Sequence, residues 1–271
     1  MMKYVEFLGI PGSGKTTVLH KTLAMLQAEN ITAVSKYDAR KIAMRRMLQR
    51  ESGFVWQLAK LAAVPWEFRI LSLLWEKIRY TYIIRFMNAY PRFSRLAIEC
   101  AEHVAPPKWI PRDVVCGENL LDWLFGGVAS YYQAAYQALA SEDLFLMEEG
   151  FCQHAYYLLA FYDGCFEEQR LETYLDLIPK LDLLVTLLPP PEECEKRMNS
   201  RQKGVASDIL TPLSVQQRLS ILEHRTSVCQ KIADYLEKQH VPVTRLENTD
   251  YQSTHVTLAE EVTKVTKISS D

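Results

Sequence analysis

The chain of 271 residues lacks most features that would settle a protein's class at sight. Its six cysteines (Cys100, Cys116, Cys152, Cys165, Cys194 and Cys229) form no C-x-x-C pair, which removes the zinc-ribbon and dithiol-redox signatures. They are expected to be buried, reduced thiols of a cytoplasmic protein. No apolar run approaches the ~20 residues that a membrane-spanning helix needs. The first residues lead straight into an apolar, strand-like segment, so no signal peptide is expected. Internal repeats and low-complexity tracts are absent. Neither sign of charge dominates: 31 Lys and Arg face 33 Asp and Glu, a net of −2, which gives no reason to expect nucleic acid as a partner. Two motifs of nucleotide-driven machines are missing as well. There is no N/T-K-x-D base-reading sequence and no L-S-G-G-Q-like stretch.

What is present begins at residue 6. The stretch EFLGIPGSGKTTVLH fits G-x-x-x-x-G-K-[ST], with Gly9, Gly14, Lys15 and Thr16 in the fixed places. The spacing has a physical reason. Gly9, Gly12 and Gly14 let the chain wrap closely, so that amide N–H groups point inward at an anion. Lys15 reaches the β- and γ-phosphates, and the Thr16 hydroxyl can ligate Mg²⁺. The helix expected after Gly14 turns its positive end to the same place. The nucleotide-binding residues are therefore Gly9, Pro11, Gly12, Ser13, Gly14, Lys15, Thr16 and Thr17. An apolar strand before the loop and helical periodicity after it supply the right context.

Five apolar strands are expected, at 4–8, 32–35, 144–147, 183–188 and 242–246, separated by helical stretches. Alternation of this kind implies a parallel sheet covered on both faces. More than a hundred residues separate the second strand from the third. They read as several helices, with breaks near Gly53, Pro65, Pro91 and residues 105–113. This segment hangs on the carboxyl side of the second strand, the ligand side of an open α/β sheet. Its charge stands apart. From Lys36 to Arg95 thirteen Lys and Arg oppose four Asp and Glu, giving +9 and leaving −11 for the rest of the chain. Aromatics such as Trp56, Trp66, Trp75 and Tyr82 are interleaved. Two readings stay open: amphipathic helices with solvated basic faces, or a surface in which Arg40, Arg45 and Arg46 meet something anionic. The apolar stretch at 120–140 suits a core helix or a homodimer contact.

Two further groups carry chemistry. The third strand leads into Glu148, Glu149 and Gly150. An acid at the carboxyl end of a strand beside a phosphate loop is where Mg²⁺ is held, here Glu148. A second carboxylate, Glu149, can take a proton from an attacking hydroxyl. Adjacent strand residues point to opposite faces, so both serve one site only if the chain already turns at Gly150. After the fourth strand, Pro191 opens a helix with Glu192 and Glu193 in its first turn. Arg197 and Arg201 share one face of it, and Lys203 follows. Arginines closing over a transferring phosphoryl group spread its charge, whereas an ordinary surface helix would pair them with Glu193.

GIPGSGKTT, the acid–Gly turn at 148–150, LDLLVTLLPPPEECEKRMNSR and VPVTRLENTD together resemble the nucleoside-monophosphate-kinase group of P-loop kinases, most of all thymidylate kinase. The resemblance covers roughly residues 1–35 and 140–250. It implies a P-loop NTPase fold with a five-stranded parallel sheet in the order 2-3-1-4-5, helices on both faces and a mobile lid. It implies one P-loop kinase-like domain over 1–271, with a helical insertion at about 36–115. By the same resemblance Arg197 and Arg201 fall at the lid arginines, and the loop after Leu246 lies near the adenine. The expected activity is ATP- and Mg²⁺-dependent phosphoryl transfer, with Lys15, Glu149, Arg197 and Arg201 as catalytic residues and Thr16 and Glu148 at the metal. The acceptor is a small molecule or nucleotide of anionic character. The chain departs from thymidylate kinases where Glu148-Glu149-Gly150 replaces an Asp-Arg pair and where no arginine loop follows the second strand, so thymidine monophosphate is not the default substrate. Two other classes stay open: an ATPase switch whose insertion binds a partner, and a non-catalytic binder of anions or membrane surfaces.

Overall fold

A computed structural model describes residues 2–51, 64–104, 117–141, 143–159, 168–200, 213–247, 258 and 260–264. β1 (Lys3–Gly9), β2 (Ala33–Ser35), β3 (Leu144–Met147), β4 (Leu183–Leu187) and β5 (Val243–Leu246) form one five-stranded sheet. Its order is β2-β3-β1-β4-β5 and every pairing is parallel. This is the P-loop NTPase fold that the sequence led us to expect. In the central register Glu6 lies beside Met147 and Gly9 beside Leu187.

The strands are apolar on both faces because both faces are covered. Alternation divides them. Val5 and Phe7 join Leu144, Leu146, Leu183 and Val185 beneath α1 (Lys15–Ala28), whose Val18, Leu19 and Leu26 fill that side. Tyr4 and Leu8 face the other way, with Phe145, Met147 and Leu184. Among the described residues, the larger core on this second face draws on every other helix of three or more turns. After β2 come α2 (Lys36–Glu51), α3 (Val64–Ala89) and α4 (Pro91–Glu102). Then α5 (Gly117–Leu121) runs into a π-helical segment, Asp122–Ala129, and on into α6 (Ser130–Ala138). β3 is followed by α7 (Phe151–Leu159) and α8 (Glu168–Leu177), and β4 by α9 (Pro191–Asn199) and α10 (Val215–Lys238).

The described helices of the stretch expected as an insertion pack into this layer. Phe86 of α3 stacks on Phe151 at 5.4 Å, and Phe93 of α4 meets the same ring edge-on at 5.5 Å. Leu124, Phe125, Val128 and Tyr132 of the 120–140 stretch are buried in the same core. The expected helix breaks at Pro65 and Pro91 coincide with the starts of α3 and α4, where proline's missing N–H costs nothing. Those at Gly53 and 105–113 lie outside the described residues. Cys100, Cys152, Cys194 and Cys229 are buried free thiols, while Cys116 and Cys165 fall outside the described residues. Among the described residues no helix is long and apolar enough to cross a membrane.

Candidate functional site

At the carboxyl edge of the sheet the chain leaves β1 through Gly9 and wraps into α1. Gly12 (φ 82°) and Gly14 (φ 90°) hold left-handed backbone that other residues adopt only at a cost. Space adds to this at Gly12, where a Cβ would meet the Cys194 carbonyl oxygen at 2.5 Å. The loop is thus seated on the first turns of α9. The Lys15 ammonium is almost buried and donates to the carbonyls of Gly9 at 2.6 Å and Ile10 at 3.3 Å. It is held across the loop rather than out in solvent.

The acid turn meets this loop. β3 ends at Met147, so Glu148 and Glu149 stand in a bend and the strand's alternation no longer applies to them. Both border one cavity of about 680 Å³, together with the loop from Ile10 to Thr17. The Thr16 hydroxyl donates to Oε1 of Glu148. A hydroxyl and a carboxylate side by side are hard oxygen donors, the kind Mg²⁺ takes alongside water and phosphate oxygens. The residues present therefore fit that ion.

The opposite wall is helical and aromatic. Ser35 and Asp38 bond reciprocally (hydroxyl to carboxylate 2.6 Å, Asp38 amide to hydroxyl 3.4 Å), so α2 starts directly at the end of β2. Its first two residues, Lys36 and Tyr37, line the cavity. The π-helical segment adds Trp123 and Gly127, α6 adds Tyr131, and α7 adds His154 and Tyr157. The Nδ1–H of His154 donates to the Gly150 carbonyl at 2.9 Å, since a carbonyl can only accept. Burial lowers the imidazole's pKa against the opposing pull of that bond and of Glu149, and Lys36 lowers it further. Burial thus favours the neutral ring, and that bond favours its proton on Nδ1. From α10 comes Arg225, 4% exposed, whose Nε donates to the Tyr156 hydroxyl at 2.8 Å while the guanidinium lies 5.0 Å over that ring. Burial opposes the Arg225 charge, but Tyr156 and Tyr157 keep its pKa raised. Lys15 and Arg225 both act on the Cys229 thiol, which burial pushes up to about 12. The two cations therefore approach the site from different elements.

Of the residues expected from sequence, Pro11 to Thr17, Glu148 and Glu149 come together around the cavity, and Gly9 lies beneath the loop. Arg197 donates from Nε to Glu193 at 3.0 Å and is not among the lining residues. Arg201 and Lys203 lie outside the described residues, as does the loop after Leu246 from residue 248 onward. Arg40 sits 5.5 Å over the ring of Trp75, which in turn stacks on Tyr131 at 5.1 Å, while Arg45 and Arg46 are exposed away from the lining. From the basic segment Lys36 and Tyr37 reach the cavity. Sequence reasoning missed His154 and Arg225, which occupy unremarkable places in helical stretches. It also passed over Glu6, although a lone carboxylate in an apolar strand was a signal.

No protein-family model matches the chain, and no curated protein matches its sequence. Among solved structures it is similar to a deoxyadenosine kinase from M. mycoides with the products dCMP and a flexible dCDP bound, with 8% identity and a TM-score of 0.43 over 96% of this chain and 99% of that chain.

Proposed function

We propose that this chain is an ATP- and Mg²⁺-dependent P-loop kinase, one domain that transfers a phosphoryl group to a small-molecule or nucleotide acceptor. The observation that carries this is the contact between Thr16 and Glu148 at the foot of a complete phosphate loop. A loop alone binds phosphate. A loop whose threonine meets a strand-end acid also has a place for the metal. Bound there, Mg²⁺ supplies neutralising charge to the β- and γ-phosphates.

On this reading the loop amides and Lys15 hold the donor phosphates. Glu149 faces the acceptor across the same cavity. As the acceptor oxygen bonds to the γ-phosphorus and the bridge to the β-phosphate breaks, Glu149 takes the acceptor's hydroxyl proton. Arg197 and Arg201 are proposed to close over the transferring group. Arg197 would first have to leave Glu193, a pairing that costs at most ~1 kcal/mol to break at a partly exposed site. Tyr37, Trp123, Tyr131 and Tyr157 suit a flat acceptor, and Lys36 with Arg225 suits one carrying negative charge. The basic segment offers a further anionic contact, a membrane surface included. A homodimer and a cytoplasmic location complete the proposal.

The test is to incubate the protein with ATP and MgCl₂ alone, then with panels of nucleosides, nucleoside monophosphates, sugar phosphates and lipid head groups. The expected result is ADP formation that depends on one panel. ADP formed equally without any acceptor would favour an ATPase switch instead, and no nucleotide binding would defeat both.

A further inference from the structure

Glu6 is a carboxylate with no solvent exposure, in the middle of a strand and flanked on either side by the buried Val5 and Phe7. Burying such a group is costly unless it is fully hydrogen-bonded. Its partners all lie near one place. Oε1 accepts from the Gln153 amide at 3.0 Å, Cys152 bonds the carboxylate through both its amide and its thiol, and Oε2 accepts from the Tyr4 hydroxyl at 2.9 Å. Cys152 and Gln153 are the second and third residues of α7. These are the amides that a capping side chain serves at the start of a helix.

The residue in the capping position, Gly150, has no side chain to offer. A Cβ there would lie 2.4 Å from the Tyr4 hydroxyl and 2.5 Å from Cδ of Glu6. Its backbone is not left-handed, since the positive-φ glycines are Gly12 and Gly14. Glycine is needed at 150 for room alone, and Glu6 fills that room. The two residues form a matched pair, in which the cap has moved from the helix's own chain end to a strand beneath it.

The first turn of α7 sits between the two halves of the nucleotide site. Just before it, across Gly150, stand Glu149 and Glu148, the latter in contact with Thr16. Within it, the Gln153 side chain accepts the amide of Gly9 at 3.4 Å, where the phosphate loop begins.

We propose that Glu6 is the N-terminal cap of α7, supplied from β1, and that through this cap it is the positioning residue that sets the acid turn against Thr16 and the phosphate loop. The cap stands on geometry, whereas its bearing on the metal rests on the kinase reading above.

Two readouts test the halves separately. The first is the melting temperature of Glu6→Ala, Gly150→Ser and the double variant. Glu6→Ala strips buried donors of their acceptor and should lower Tm by about 5–10 °C. Gly150→Ser should lower it by overcrowding. Together they should recover most of the loss, because serine brings its own capping oxygen into the vacated room. Losses that simply add would overturn the cap.

The second readout is ADP binding by calorimetry with and without MgCl₂, well below the melting range. Glu6→Ala should weaken Mg²⁺-dependent binding roughly tenfold, the scale of an outer-shell change at a metal, while metal-free binding stays level. A variant that melts lower yet keeps the full Mg²⁺ enhancement would reduce Glu6 to a structural role. If Glu6→Ala does not fold, Glu6→Gln keeps the volume and one acceptor oxygen and should retain most of the enhancement. Its complete loss there would overturn the cap in favour of a charge effect. If the unaltered protein binds ADP no better with Mg²⁺, the metal half falls with the kinase reading, while the coupling in Tm still decides the cap.

Discussion

The two walls of the cavity are made of different material. The loop wall is largely main chain: amides, carbonyls and two left-handed glycines, with Lys15 folded back onto the Gly9 and Ile10 carbonyls. The helical wall is side chain: Tyr37 and Tyr131, Trp123, His154, Tyr157 and Arg225, brought in by α2, the π-helical segment, α6, α7 and α10. A wall of backbone tolerates few sequences, because glycine must stand at set spacings. It fits a ligand that is the same in every such protein. A wall of side chains is free to change residue by residue, and it is the part suited to choosing among ligands.

The sharpest test of the contrast falls on the loop wall. Lys15→Ala should reduce phosphoryl transfer by about 10²–10³-fold or more, since it removes a preset charge from the donor phosphates. Its melting temperature should change little, and a joint measurement of turnover and melting checks both. Activity within a few-fold of the unaltered protein would remove the loop from the mechanism.

The acid turn lies between the walls, and its two members should separate. Glu149→Gln is expected to lower kcat by about 10²-fold or more while ATP affinity holds, because a base acts only as the bond is made. Glu148→Gln should instead raise the Mg²⁺ concentration needed for half-maximal rate. Titrating MgCl₂ against both variants distinguishes the roles, and an exchange of the two phenotypes would exchange the assignments.

On the helical wall the effect should be smaller and should fall on the other substrate. Arg225→Gln is expected to raise the acceptor KM by roughly tenfold or somewhat more, the scale of one charge-assisted hydrogen bond. The ATP KM should stay within a few-fold. Equal changes in both constants would mean that Arg225 belongs to the loop wall.

The smallest effect concerns what lies behind the loop. Glu195, next to the Cys194 that backs Gly12, accepts from Arg218 at 2.6 Å and 2.9 Å. The Arg218 bonds hold its carboxyl below the ordinary value, against the opposing effect of burial. A lowered carboxyl contributes stability that is present above the unfolded pKa and lost as pH falls through the folded one. The unaltered protein should therefore lose part of its stability on acidification below about pH 5, and Glu195→Gln should melt lower at neutral pH with a shallower acid slope. Parallel slopes would show that this pair does not support the loop.

How far these features could be read in the sequence follows from the same contrast. The five strands were legible because each is a short apolar run, and the phosphate loop because its spacing is contiguous. Glu148 and Glu149 were found as a pair, but strand alternation placed them on opposite faces, and only the end of β3 at Met147 brings both to the cavity. Arg225 was not legible. It stands 189 positions from Lys36 along the chain, in a helix with charged neighbours, and nothing local marks it as buried. Arg40 was read as either a solvated basic residue or an anion contact, and it lies over Trp75, a contact between segments that no periodicity encodes. Glu6 was passed over and Gly150 was read only as the turn after the acid pair, because their relation is a matter of shared volume.

The buried thiols give the protein a built-in chemical clock. Cys229 lies one turn beyond Arg225, and burial drives its pKa up to about 12, with Lys15 and Arg225 pulling the other way. Cys194, behind Gly12, is pushed up to about 11. Both thiols are buried, and burial disfavours the reactive thiolate, so an alkylating reagent is expected to reach them only as the structure opens. With Cys116 and Cys165 replaced by serine, the labelling rate at each remaining cysteine would time the opening of its own element. Slower labelling of Cys194 and Cys229 than of Cys100 on adding nucleotide would show, without any turnover, that a ligand has tightened the floor of the cavity first.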